Sequence, residues 1–97
     1  MKAQRIFYDK AVLADGSVVE MTIWKLPAVS KERPHGLKYS LFLGRDGKRI
    51  VGYDNELGKG DHKHLGEVEK SYRFVSVEKL MADFLADVER MKGEHHD

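Results

Sequence analysis

Gln4-Arg5-Ile6-Phe7-Tyr8-Asp9-Lys10-Ala11-Val12-Leu13-Ala14-Asp15-Gly16-Ser17-Val18-Val19-Glu20-Met21-Thr22-Ile23-Trp24-Lys25-Leu26 decides the fold. Two runs rich in Val, Ile, Tyr, Phe and Trp flank an Asp-Gly pair, the strongest short-range signal for a β-hairpin. The reading is two strands, Gln4 to Leu13 and Ser17 to Leu26, with Val19, Met21 and Ile23 on one face and Glu20, Thr22 and Trp24 on the other. Side chains alternate across a strand, so the first trio marks the core side.

The same pattern recurs downstream. Leu37 to Leu43 places Leu37, Tyr39, Leu41 and Leu43 on one face. Arg45-Asp46-Gly47-Lys48 is a second Asp-Gly turn, and Arg49 to Asp54 is a fourth strand whose Gly52 signals a bulge or a close backbone approach. Between the hairpins, Pro27 to Gly36 holds both prolines and reads as a loop. Asn55 to Lys70 reads as a long irregular connection, and Tyr72 to Val75 as a short strand or an extended lead-in. Ser76 has the chemistry of an N-cap. After it Val77, Leu80, Met81, Phe84, Val88 and Met91 recur at helical spacing opposite Glu78, Asp83, Asp87 and Arg90, with Gly93 as the expected stop. The expected architecture is α+β: one domain over residues 1–97, an antiparallel meander of about four strands, and one C-terminal amphipathic helix packed on one face.

Composition narrows the class. The 97 residues fit one domain, and 41% hydrophobic with 34% charged content describes a globular, soluble chain. Without cysteine there are no disulfides and no thiolate metal sites. The first ten residues hold no apolar signal region, and no run approaches the ~20 apolar residues of a spanning helix. The expectation is a cytoplasmic protein with no membrane contact. Net charge is +1 overall, but residues 31–63 carry +3 and residues 76–97 carry −3. That asymmetry suits a polyanion on one side of the molecule. Arg33, Lys38, Arg45, Lys48 and Arg49 could line a phosphate track, and Trp24 or Tyr39 could stack on bases.

Chemistry concentrates in Tyr53-Asp54-Asn55-Glu56-Leu57-Gly58-Lys59-Gly60-Asp61-His62-Lys63-His64. Metal-free RNA cleavage needs a base for the 2′-hydroxyl, an acid for the leaving oxygen and a cation for the phosphoryl charge. His62, His64, Lys59 and Arg49 supply those types, and Gly58 and Gly60 would let the backbone approach a phosphate. A metal reading competes: Asp61, His62 and His64 offer a carboxylate and two imidazoles, with Asp54 or Glu56 as a further ligand. A solvated turn-forming loop is the plainest alternative. His35, between Pro34 and Gly36, reads as a loop histidine, and the terminal pair His95-His96 as part of a frayed tail.

The stretch Arg49 to His64, with its YDNxxGKGDHxH string, resembles the hallmark of the TumE-like toxins. Leu37 to Phe42, Phe74 to Leu80 and Asp83 to Val88 resemble the family's preceding strand and C-terminal helix, so the likeness spans most of the chain from Ile6 onward. It implies the toxin of a type II toxin–antitoxin module, neutralised by contact with a helix-turn-helix antitoxin and expected to act on RNA as a ribonuclease. Asp54, Asn55, Lys59, Asp61, His62 and His64 carry over as motif positions; Leu57 stands where relatives often carry Arg. Combined with residue chemistry, the expected catalytic set is His62, His64, Lys59, Asp54 and Asp61. The expected substrate-binding set is Arg49, Tyr53, Asn55, Gly58, Gly60 and Lys63. A metal-independent endoribonuclease without cofactor is the leading expectation. A non-enzymatic binding module and a metal-dependent hydrolase are the alternatives. Phe42 and Trp24, on faces opposite the core, are candidates for an apolar patch covered in a homodimer.

Overall fold

The hairpins predicted from the two Asp-Gly pairs both form. A computed structural model describes residues 2–31, 33–56 and 59–94. The strands are β1 (Gln4–Val12), β2 (Val18–Lys25), β3 (Leu37–Arg45), β4 (Lys48–Asp54), β5 (His62–Leu65) and β6 (Val68–Ser71), followed by helix α1 (Val77–Glu94). The strands pair antiparallel in chain order, β1 to β6, in one meander sheet. The β3–β4 turn has positive φ at both central residues, Asp46 (54°) and Gly47 (75°), the conformation of a two-residue I′ hairpin loop.

The sheet has six strands, not about four. The region read as an irregular connection contains the β5–β6 hairpin, turning at Gly66 with φ 63°. Apolar alternation is absent there because one face of β5 carries His62 and His64 and the other begins with Lys63. Residues 72–76 form the extended lead-in rather than a strand. Ser76 caps the helix as expected, its Oγ accepting the Lys79 N–H at 3.0 Å. Gly93 falls inside the last turn of α1 instead of beyond it.

One face of the sheet makes the core. Val19, Met21, Ile23, Tyr39, Leu41, Leu43, Val51 and Tyr53 meet Leu80, Phe84 and Val88 of α1, and all are buried. Full burial of such aliphatic side chains stabilises by roughly 1.5–3 kcal/mol each. The polar latch over this face is Asp87 of α1. It accepts hydrogen bonds from the Tyr53 hydroxyl, from Lys63 Nζ (3.3 Å) and from Arg90 (3.0 Å). Burial raises the Asp87 pKa, but these three donors outweigh it and hold the carboxyl below its ordinary value. Because α1 covers only this side, the opposite face stays open. No helix among the described residues is long and apolar enough to cross a membrane.

Candidate functional site

Strand parity sorts the motif. In β4, Tyr53 faces the core, so Gly52 and Asp54 face the open side. The register pairs Gly52 with His64 and Asp54 with His62, which puts both histidines on that open face. β6 adds Glu69, opposite His64. The result is a row that crosses all six strands: Lys10, Glu20, Phe42, Gly52, His64 and Glu69.

The two imidazoles meet edge to face, with centroids 5.1 Å apart. His62 Nε2 lies 2.8 Å from Asp54 Oδ1, and its Nδ1 lies 2.9 Å from the Gly60 carbonyl. A carbonyl oxygen only accepts, so Nδ1 carries a proton. With Nε2 against a carboxylate, the ring satisfies both contacts when doubly protonated, or when a cation sits between Nε2 and Asp54. His64 differs. Burial lowers its pKa, and the charge of Arg49 lowers it further against the opposing pull of Glu69. The two rings therefore sit in different surroundings: His62 between a carboxylate and a carbonyl, His64 beside Arg49 and Glu69.

Glu69 Oε2 gathers the donors of the site: His64 Nε2 at 3.1 Å, His62 Nε2 at 3.7 Å and Lys59 Nζ at 3.7 Å. Lys59, His62, Glu69, Lys70 and Ser71 line a cleft of about 290 Å³. Arg49 reaches over Gly52 to within 3.8 Å of Asp54 Oδ2. A Cβ at position 52 would lie 2.6 Å from Arg49 Cδ, so the missing side chain makes room for this arginine.

Other motif residues serve elsewhere. Tyr53 is buried under α1, and Lys63 lies on that same face, bound to Asp87. Asn55 is buried and extends the β3 ladder. Its Oδ1 accepts the Tyr39 N–H (3.0 Å), its Nδ2 donates to the Leu37 carbonyl (2.8 Å), and its own carbonyl accepts the Arg33 guanidinium. Asp61 accepts from the Tyr39 hydroxyl (2.6 Å) and pairs with His35 Nε2 (3.1 Å), while His35 Nδ1 accepts the Leu37 N–H. Phe74 packs on the His35 ring at 4.2 Å. Asp61 therefore stands with His35 and Tyr39, apart from the His62–His64 pair. Gly60 contributes its carbonyl to His62; Gly58 and Leu57 lie outside the described residues, as do His95 and His96.

Asp54, His62 and His64 offer donor atoms all within 4.8 Å of one another, and they could hold a divalent ion. Glu69 is a fourth donor that sequence reasoning missed. Its signal is the Gly66-Glu67 turn, which places residue 69 opposite residue 64.

A six-stranded meander with an uncovered histidine–carboxylate face describes a small α+β protein with a surface polar site. The chain belongs to the TumE toxin family: the family model described as toxin TumE matches residues 2–92. Among curated proteins and among solved structures, nothing matches it.

Proposed function

We propose that this toxin cleaves RNA on the open face by metal-free acid–base chemistry. His64, kept neutral, takes the proton from a ribose 2′-hydroxyl. The 2′-oxygen attacks phosphorus, and the protonated His62 returns a proton to the departing 5′-oxygen. The products are a 2′,3′-cyclic phosphate and a free 5′-hydroxyl. Arg49 and Lys59 offset the charge that builds on the phosphoryl oxygens, while Asp54 orients His62 through its Nε2.

The observation that carries this reading is the Glu69 carboxylate oxygen among Lys59, His62 and His64. An anion already occupies the spot where those donors converge, and a phosphate oxygen has matching acceptor chemistry. Family membership supports the toxin role; a helix-turn-helix antitoxin is the partner we infer from it. The test is incubation of purified protein with RNA in EDTA, beside the H62A and H64A variants. Intact RNA under all conditions would sink the proposal.

One observation favours a second reading. The Gly60 carbonyl fixes His62 with Nε2 directed at Asp54, the second-sphere arrangement common to metal-bound histidines. In that case EDTA abolishes activity and a divalent ion restores it.

A further inference from the structure

Beyond the histidine pair, the open face holds a second cleft, of about 460 Å³, whose lining includes Lys10, Val18, Glu20, Phe42, Lys48 and Arg49. Phe42 is a large aromatic on the side of the sheet away from the core. Its next same-face residue along β3 is Gly44, which brings no side chain against the ring, while the space over its β4 partner Gly52 is taken by Arg49. A Cβ on Gly44 would meet the Phe42 ring at 3.5 Å. Gly44 thus leaves one flank of the aromatic ring open to a flat ligand, with Arg49 beside it.

The rim has the polarity of a nucleotide site. Lys10 and Lys48 are exposed and pair with no carboxylate among the described residues. Glu20 sits opposite Lys10 in the β1–β2 register. Its Oε2 accepts the Tyr8 hydroxyl at 2.6 Å, and its Oε1 takes no hydrogen bond among the described residues. Phe42 and His64 lie on one row, two strands apart, which is roughly 10 Å at the usual strand spacing. That is within reach of the nucleotide next to a phosphate held at the histidine pair. Arg49 lines the Phe42 cleft and reaches to within 3.8 Å of Asp54, the partner of His62.

We propose that the Phe42 cleft is the subsite for an unpaired guanine flanking the scissile phosphate, with Phe42 as the stacking platform and Glu20 as the reader of the base edge. The proposal rests on the RNA-cleavage reading above. Stacking on an aromatic face requires a base free of its duplex, so the substrate class is single-stranded RNA. Guanine alone among the four bases sets two adjacent N–H donors beside an acceptor on its pairing edge. A carboxylate flanked by a lysine complements that pattern.

The test separates binding from cleavage. Labelled uridine octamers with one central guanosine, adenosine or cytidine are titrated by fluorescence polarisation against the H62A/H64A double variant at fixed salt. The guanosine octamer should bind tightest, and its pre-formed duplex should compete poorly. F42L, which keeps an apolar side chain but loses the ring face, should weaken binding roughly 5- to 100-fold, the range for loss of one base–aromatic stack. E20Q should erase the guanine preference, so that the guanosine octamer binds no more tightly than the adenosine and cytidine octamers. Equal affinity for all octamers, indifference to F42L, or light scattering that shows a homodimer burying Phe42 would each overturn the subsite. Guanine-selective binding by a wild-type protein that leaves RNA intact would support the subsite and sink the acid–base reading. Cleavage without base preference and unchanged by F42L would do the reverse.

Discussion

Gly52 and His64 stand directly opposite each other on β4 and β5, and the space left by the missing Gly52 side chain is filled by Arg49. A single absent methyl group thus brings the Arg49 guanidinium beside Asp54 and close enough to His64 to lower its pKa. G52A should displace Arg49, since the added Cβ would fall 2.6 Å from its Cδ. The stability change should be small, within about 1 kcal/mol, because alanine is otherwise the better strand residue and a long side chain can move aside. RNA affinity should fall while the melting curve barely moves.

Loss of either imidazole should be far more costly to activity than to folding. H62A and H64A should each reduce the cleavage rate roughly 10²–10⁴-fold, the contribution of a positioned acid or base. The double variant should lose little beyond the worse single one, because groups acting as a unit are not additive. Single-turnover kinetics with one labelled RNA, run beside circular dichroism, measures both quantities.

The pH profile should show the influence of Arg49. Burial and the Arg49 charge hold His64 below the ordinary imidazole value of 6.5, so it stays neutral, and competent as a base, into more acidic solution. The acidic limb of kcat/KM should therefore fall below pH 6.5. Removing the charge in R49M should move that limb upward. Proton NMR titration of His64 reads the same shift without relying on turnover; an unmoved midpoint in R49M would refute the coupling.

How much of this was legible depends on where hydrophobic alternation survives. Val19, Met21 and Ile23, and Leu37, Tyr39, Leu41 and Leu43, recur at every second position, so their core faces were readable, as were the Asp-Gly turns and the Ser76 cap. β5 and β6 were hidden because His62, Lys63 and His64 give no apolar beat, although their strand is as regular as the others. The motif's density also drew Tyr53, Asn55, Asp61 and Lys63 into one imagined site. Parity could have separated them: in an extended strand Tyr53 and Asp54 point to opposite faces, as do Lys63 and its histidine neighbours. Asn55 and Asp61 lie in the connection between β4 and β5, where no period indicates direction. Their attachment to β3 and to His35 follows only from tertiary contacts.

Asp87 should make stability fall in acid. Its carboxyl is held below its ordinary value in the folded state, so the unfolded chain binds the proton more tightly. The Asp87 contribution is therefore present above the ordinary aspartate value of 3.8 and drains away as pH drops through the lower folded value. D87N should cost about 1–3 kcal/mol at neutral pH by weakening the contacts with Tyr53, Lys63 and Arg90. The gap between wild type and D87N in urea denaturation should narrow below about pH 4. A gap that stays constant down to pH 2 would exclude this origin.

Glu69 distinguishes the two chemistries of the site, because each assigns its carboxylate an opposite role. In acid–base cleavage, Glu69 occupies the place of a phosphate oxygen, held by Lys59, His62 and His64, and incoming RNA must displace it. E69Q removes the competing charge, so KM should fall several-fold with the histidines intact, and the salt dependence of binding should steepen as Lys59 becomes available to the backbone. In a metal-assisted reaction Glu69 would be a fourth donor beside Asp54, His62 and His64. E69Q should then weaken metal binding, read by calorimetry with Zn²⁺ or Mn²⁺, and lower turnover at limiting metal. Tighter RNA binding in EDTA with no calorimetric metal signal supports the proton-transfer mechanism. Lost activity that returns with added divalent ion overturns it.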